Sequence, residues 1–122
     1  MATILVIDDD LLLCRLISRV LSSAGHTVVE AHNGYEGVAL AQRHQPTLII
    51  TDIVMPDKEG IETILEIRRA IPQAKIIAIS GGGSYSSKGV SYLSMALALG
   101  ADAAIEKPFL PAELTEIVNR LM

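Results

Sequence analysis

Five polar side chains in this sequence stand at the ends of short apolar segments, where they could do chemistry together. They are Asp8, Asp9, Asp52, Ser80 and Lys107. Each of these segments is a continuous aliphatic run, which is typical of a strand buried on both faces in a parallel sheet. Because chemistry in open α/β sheets collects at the carboxyl ends of the strands, these side chains are candidates for one shared site.

Asp52 is the central candidate of this set. It ends the apolar run at residues 48–51, and Pro56 cannot continue a strand ladder, so the chain turns soon after the carboxylate. Taken alone, Asp52 is explained equally well as a helix N-cap. The other members also have ordinary explanations, since acidic residues cap helices, serines occupy turns and lysines are usually solvated. The joint placement of all five favours a site.

Three carboxylates, a hydroxyl and an ammonium in one small region indicate phosphoryl chemistry. Crowded carboxylates raise each other's pKa unless a cation lies between them, and Mg2+ is usually held by one or two carboxylates with waters and phosphate oxygens. We therefore predict Asp52 as a nucleophile that accepts a phosphoryl group, with Asp8 and Asp9 as Mg2+ ligands. Lys107 would neutralise charge on the phosphoryl oxygens, and Ser80 would donate a hydrogen bond to one of them.

The elements that must position these residues alternate between strands and helices. Strands are predicted at residues 4–7, 26–31, 48–52, 75–80 and 103–106. Helices are predicted from about residue 11 to a stop at Gly25, and at residues 35–43, 61–70, 89–99 and 111–121. Five strands alternating with five helices predict an α/β fold with a parallel sheet covered by helices on both faces.

Several apolar stripes assign the helical faces. The first helix is expected to pack through residues that include Leu16, the third through a stripe that includes Leu65, and the fourth through Val90, Leu93 and Leu97. Asp10 is expected only to cap the first helix. The three histidines show no metal-ligand spacing and are expected to be ordinary surface or turn residues.

Composition restricts the class of protein. The chain has 122 residues, which suits one domain over residues 1–122, and a net charge of −4, which argues against a nucleic-acid surface. Cys14 is the single cysteine, so a reducing compartment is expected. We see no signal-peptide pattern and no apolar stretch approaching the ~20 residues that cross a bilayer. A cytoplasmic protein without a membrane or nucleic-acid partner is therefore expected.

The chain resembles the response-regulator receiver domains of two-component signalling. The matching residues are Asp8-Asp9, Asp52 with Met55-Pro56 and Gly60, Ser80, and Lys107-Pro108-Phe109. The resemblance implies a flavodoxin-like, doubly wound sheet with strand order 2-1-3-4-5. It also implies that a histidine kinase or phosphotransfer protein donates a phosphoryl group to Asp52, and that the backbone carbonyl of Val54 joins the Mg2+ ligands. The output face would comprise helix 89–99, strand 103–106 and helix 111–121, which would contact a downstream protein or a second copy.

Two features depart from the family pattern. Ala104 occupies a position three before the conserved lysine that is commonly aromatic, so the usual coupling between the hydroxyl residue and an aromatic side chain is in doubt. Tyr85 or Tyr92 could take over that role. The segment after Ser80 is also longer than usual and begins with three glycines, so we predict a mobile loop at residues 81–88.

Other functions remain as alternatives. The chain could be a receiver fragment of a longer transcriptional regulator or hybrid kinase, or a receiver-like scaffold that is not phosphorylated. A phosphatase with an aspartyl nucleophile usually carries a second acid two residues later, where this sequence has Val54. A nucleotide-binding module would not place three aspartates in its first loop, because they would repel a phosphate. We therefore expect a switch rather than an enzyme.

Overall fold

The computed structural model describes residues 2–53, 60–81 and 92–122. The strands are β1 (Thr3–Ile7), β2 (Thr27–Ala31), β3 (Leu48–Asp52), β4 (Lys75–Gly81) and β5 (Ala103–Lys107). The helices are α1 (Leu11–Ser23), α2 (Gly34–His44), α3 (Gly60–Ala70), α4 (Tyr92–Ala98) and α5 (Pro111–Leu121). Each element lies within a few residues of its predicted position. The predicted start of the fourth helix at Gly89 and the predicted mobile loop both extend outside the described residues.

All five strands are parallel, and their order in the sheet is β2-β1-β3-β4-β5. This confirms the predicted α/β architecture and strand order. The central strand β3 is buried along its whole length, which agrees with its continuous apolar sequence. The order brings the carboxyl ends of β1, β3, β4 and β5 side by side at one edge of the sheet.

The core forms two clusters, one on each face of the sheet. One cluster contains residues of α2, α3 and α4, including Ala41, Ile64 and Ala96. The other contains residues of α1 and α5, including Ile17 and Leu114. Since each helix buries one stripe against the sheet, the alternating burial along the helices follows the 3.6-residue period.

Three residues that were predicted to lie in the core are exposed instead, so these predictions are wrong. Leu16 is 49% exposed, Leu65 is 39% exposed and Leu97 is 48% exposed. Each lies at the margin of its helix's apolar stripe, and a neighbouring residue nearer the centre of the stripe is buried in its place. In α1 that residue is Cys14, and in α4 it is Ala96, both fully buried. Val90 lies outside the described residues, as does the Leu93 side chain.

Local signals fix two helix ends. Asp10 is the N-cap of α1, and its side chain accepts hydrogen bonds from the amides of Leu12 and Leu13, which confirms the predicted capping role. Gly25 follows the C-cap of α1 with a φ of +97°, a conformation that glycine adopts without steric cost. No helix in the described parts of the chain has the length and apolar character needed to cross a membrane.

Candidate functional site

The strand order places the predicted residues at one edge of the sheet. Asp8 follows the last residue of β1, Asp52 is the last residue of β3, and Lys107 is the last residue of β5. Ser80 lies in β4, one residue before its end, and pairs in register with Glu106 of β5. The carboxylates, the hydroxyl and the ammonium therefore come from neighbouring strands, as the sequence predicted.

Lys107 joins the two buried carboxylates. Its ammonium nitrogen Nζ lies 3.1 Å from Asp52 Oδ2 and 3.2 Å from Asp8 Oδ2. The contact with Asp52 is a hydrogen bond that Lys107 donates. Asp8 and Asp52 are buried, whereas the Lys107 side chain is 27% exposed and approaches from the solvent side. One cation thus holds two acids that would otherwise repel each other.

Burial dominates the electrostatics of Asp8. The pKa of this carboxyl is raised from 3.8 to about 6, chiefly by burial and with a smaller contribution from the nearby charge of Asp52. The amide of Asp10, which donates to Asp8 Oδ1 at 2.9 Å, and the ammonium of Lys107 act in the opposite direction. Asp8 Oδ2 is buried and has no well-aligned hydrogen bond, although Lys107 lies close to it. An unsatisfied buried carboxylate oxygen is suited to a cation ligand.

The pKa of Lys107 responds to the same contacts. Burial lowers this pKa, but the charges of Asp52 and Asp8 outweigh burial, so the pKa lies above its ordinary value. The ammonium therefore stays protonated at neutral pH. This keeps a fixed positive charge beside Asp52 and Asp8.

The carboxylates of Asp8, Asp9 and Asp52 fit a hard divalent cation. Each offers an oxygen within 4.8 Å of the others, and Asp9 is exposed while the other two are buried. Mg2+ binds oxygen ligands octahedrally at about 2.1 Å, so its ligands lie between about 3.0 and about 4.2 Å from one another. Three oxygens within 4.8 Å of one another come from carboxylates that are near enough to share one such ion. The predicted fourth ligand, the carbonyl of Val54, lies outside the described residues.

Sequence reasoning missed two features of the site. Thr51 is fully buried, and its hydroxyl donates to the carbonyl of Asp52 at 2.9 Å, which fixes the end of β3. The single ammonium that contacts both carboxylates was also not foreseen, because the sequence gives strand ends but no distances. A polar residue inside an aliphatic strand was the only available signal for Thr51.

The output face is only partly described. Ala104 lies in β5 and is half-buried, so the face lacks an aromatic side chain at that position. Tyr85 lies outside the described residues, and Tyr92 begins α4 with its side chain outside them. The proposed takeover of the aromatic role by either tyrosine therefore stays a prediction.

Comparison with known proteins identifies the family of this chain. The family model of the response regulator receiver domain matches residues 4–119. The chemotaxis protein CheY of Thermotoga maritima is 33% identical over 119 residues, which cover 97% of this chain and 95% of that protein. The transcriptional regulatory protein CpxR of Klebsiella pneumoniae is 33% identical over 122 residues, but the match covers only 50% of its length.

Solved structures show the same fold. A CheY-like receiver domain protein from Methanospirillum hungatei has a TM-score of 0.87 and 31% identity, with 99% of this chain and 94% of that chain covered. CheY4 of Vibrio cholerae has a TM-score of 0.86 and 28% identity over the whole of this chain. With the acids and lysine at the carboxyl edge of a 2-1-3-4-5 sheet, and with a family match across nearly all residues, the chain belongs to the response regulator receiver family.

Proposed function

We propose that this protein is a phosphorylation-dependent signalling switch whose phosphoacceptor is Asp52. The observation that carries the proposal is the Lys107 ammonium, which contacts both Asp52 and Asp8 in a pocket that also holds Asp9. The donor is a histidine kinase or a histidine-containing phosphotransfer protein. The response is a change in the surface that downstream proteins recognise.

The transfer is a displacement at phosphorus. A carboxylate oxygen of Asp52 attacks, a phosphorus–oxygen bond forms, the phosphorus–nitrogen bond of the donor breaks, and the donor imidazole leaves and is reprotonated. Mg2+, held by Asp8, Asp9, Asp52 and the Val54 carbonyl, would offset charge on the phosphoryl oxygens when bound. Such transfer depends mainly on positioning and electrostatic stabilisation.

Lys107 and Ser80 complete the phosphorylated state. Lys107 already lies 3.1 Å from Asp52, so its ammonium needs only a short movement to pair with a phosphoryl oxygen. Ser80 is buried in the neighbouring strand β4, and its hydroxyl would donate to a second oxygen. These new contacts would draw the end of β4 towards Asp52 and so alter the surface around α4.

Exposed leucines support a kinase-side docking surface next to the pocket. Leu11, Leu12 and Leu16 of α1 are 59%, 84% and 49% exposed, and Leu110 before α5 is 66% exposed. Leu12 and Leu16 line one surface groove, and contiguous exposed apolar side chains typically mark an interface. Because α1 begins three residues after Asp8, a partner on this surface would hold its phosphohistidine near Asp52.

The downstream surface is proposed to be formed by α4, β5 and α5. Leu97 and Leu99 are exposed there, at 48% and 39%, and would contact a downstream protein or a second copy of the chain. We expect the protein to act in the cytoplasm, since its single free cysteine fits a reducing compartment. In this function the protein is modified once per signal and does not turn over a substrate as an enzyme does.

The decisive experiment is intact mass spectrometry after incubation with acetyl phosphate and Mg2+. Wild type should gain one phosphoryl group, and Asp52→Asn should gain none. Asp10→Asn is the matched control, because Asn caps a helix as well as Asp and position 10 is outside the pocket. Absence of an adduct in both wild type and Asp10→Asn would favour the scaffold alternative.

The docking surface has a separate test. Leu12→Glu should slow phosphotransfer from a kinase while leaving labelling by acetyl phosphate unchanged, because the small donor does not need the leucines. Leu97→Glu in α4 is the matched control, and the kinase should phosphorylate it at the wild-type rate. Equal slowing by both donors in Leu12→Glu would mean that the substitution damages the pocket itself.

A further inference from the structure

A second group of potential metal ligands lies between α1 and the end of the edge strand β2. It consists of Cys14 in α1, Glu30 in β2 and His32 just after β2. Each offers one ligand atom, and these atoms lie within 4.8 Å of one another. We propose that Cys14, Glu30 and His32 form a binding site for a Zn2+ ion, distinct from the all-oxygen pocket of Asp8, Asp9 and Asp52.

The strand geometry explains why these residues meet. Side chains two apart along a strand point to the same face, so Glu30 follows Val28 towards α1, and Val28 packs in the same core cluster as Cys14. His32 continues this alternation beyond the end of β2. Cys14 lies in the first turns of α1 with its side chain directed at the same place, where it donates to the carbonyls of Asp8 and Ala31.

The donor set selects the metal. A thiolate, an imidazole and a carboxylate are ligands for Zn2+, whereas Mg2+ requires oxygen ligands alone. Three protein ligands leave the fourth tetrahedral position for water. The cluster reaches the surface through His32, whose side chain is 43% exposed, and Glu30, whose side chain is 25% exposed, while Cys14 forms its buried base. A metal ion can therefore enter from solvent.

Glu36 lies beside His32, on the side of the ring away from Glu30. His32 Nε2 lies 3.7 Å from Glu30 Oε1, on the side of the cluster, and His32 Nδ1 lies 3.7 Å from Glu36 Oε1 on the other side. Glu36 Oε1 also accepts the backbone amide of His32 at 2.8 Å, so this carboxylate is fixed in place. The 3.7 Å between His32 Nδ1 and Glu36 Oε1 is longer than a hydrogen bond, and a short movement of the ring would let Glu36 accept the outer N–H, as carboxylates commonly do for zinc-bound imidazoles.

The carboxylates of Glu30 and Glu36 lie at the site, and the exposed Arg15 guanidinium, 3.9 Å from Glu30 Oε2, is the one cation recorded there among the described residues and would have to release Glu30 to the metal. Burial raises the pKa of the Cys14 thiol to about 12, with further contributions from the charges of Asp8 and Glu30, so the metal-free protein keeps the sulfur protonated. Binding forms a sulfur–zinc bond and releases the thiol proton to solvent. The same negative neighbours then stabilise the ion.

Binding would affect the phosphoacceptor side of the sheet through one hydrogen bond. Cys14 Sγ lies 3.3 Å from the carbonyl oxygen of Asp8 and donates to it. A zinc-bound thiolate has no proton to donate, so this bond is lost when the metal binds.

The test is titration with Zn2+ and with Co2+ in excess Mg2+. Wild type should bind one equivalent of Zn2+, and Co2+ should give a sulfur-to-cobalt charge-transfer band in the near ultraviolet. Cys14→Ala should lose the band. His32→Gln, which changes a side chain that is 43% exposed, should bind Zn2+ at least about tenfold more weakly. His44→Gln is the matched control at another exposed histidine and should match wild type.

A further variant distinguishes the two metal sites. Asp9→Asn removes a ligand of the oxygen pocket and should leave Zn2+ binding unchanged. A Zn2+ affinity that falls in Asp9→Asn but not in His32→Gln would place the metal in the oxygen pocket and overturn the proposal. Absence of the charge-transfer band at saturating Co2+ would overturn it as well, since no thiolate would then bind the metal.

Discussion

Replacing Asp8 with asparagine should stabilise the metal-free protein at neutral pH. Asp8 is 1% exposed and its pKa is raised to about 6, chiefly by burial. A raised pKa means that the native state binds the proton more tightly than the unfolded chain does. Asparagine imitates the protonated side chain, because its oxygen can still accept the Asp10 amide while no negative charge has to be buried.

The size of the effect follows from the pKa. Raising the value from 3.8 to about 6 corresponds to about 3 kcal/mol, since one pKa unit is worth 1.36 kcal/mol. The unfolding free energy of wild type should therefore fall as pH rises through the interval from about 4 to about 6, and should stay lower above it. Asp8→Asn removes this loss, so the variant should exceed wild type by about 2–3 kcal/mol near pH 7 and match it near pH 4.

Urea unfolding in the presence of a chelator measures this difference at the two pH values. Asp10→Asn is the control and should show no such gain near pH 7, because Asp10 is exposed and asparagine also caps a helix. Added Mg2+ should narrow the gap, since an ion that binds only the native wild type stabilises it by mass action. If Asp8→Asn is less stable than wild type near pH 7 without metal, the Lys107 contact outweighs burial and the reasoning is wrong.

Three further substitutions test the packing, each by urea unfolding. Gly37→Ala should lower the free energy of unfolding by about 1–3 kcal/mol, because the new methyl group would lie 2.5 Å from Ile7 Cδ1. Adding Ile7→Val should recover part of this loss. Unchanged stability in Gly37→Ala would mean that α2 can shift away from β1 at no cost. Arg68→Lys should lower the free energy of unfolding by about 2 kcal/mol, since the guanidinium donates hydrogen bonds to three backbone carbonyls and to Asp102. A lysine variant as stable as wild type would show that these hydrogen bonds contribute little. Asn33→Ala should lower the free energy of unfolding by about 1 kcal/mol, because it removes the N-cap of α2, whereas Asn33→Ser should keep the cap. Equal losses in both variants would argue against capping.

The sheet and the candidate site were largely predictable because both depend on strand ends. Buried parallel strands are continuous apolar runs, so the polar residue after each run marks the carboxyl edge. Asp8, Asp52 and Lys107 were placed in this way, and the structure brings them together. Side-chain distances depend on the twist of the sheet and on rotamers, which the sequence does not specify, so the shared ammonium was not predicted.

The helix faces were less predictable than the strands. A 3.6-residue period assigns a stripe but not its margin, and Leu16 and Leu97 lie on the margin while Cys14 and Ala96 fill the interior. The Arg68 network left no sequence signal, because three of its four acceptors are backbone carbonyls that any residue supplies. The cluster of Cys14, Glu30 and His32 was missed because its members approach through the fold and not through sequence spacing.

The division of the hydrophobic interior by the sheet has a consequence for how this protein can change. The α2–α3–α4 side and the α1–α5 side touch opposite faces of one layer of strands, and helix and sheet layers stack about 10 Å apart. Substitutions separated by more than 7–10 Å usually have additive effects on stability. Natural drift or engineering could therefore remodel the two sides separately, and a loss of stability on one side could be compensated on the other without disturbing the recognition surface there.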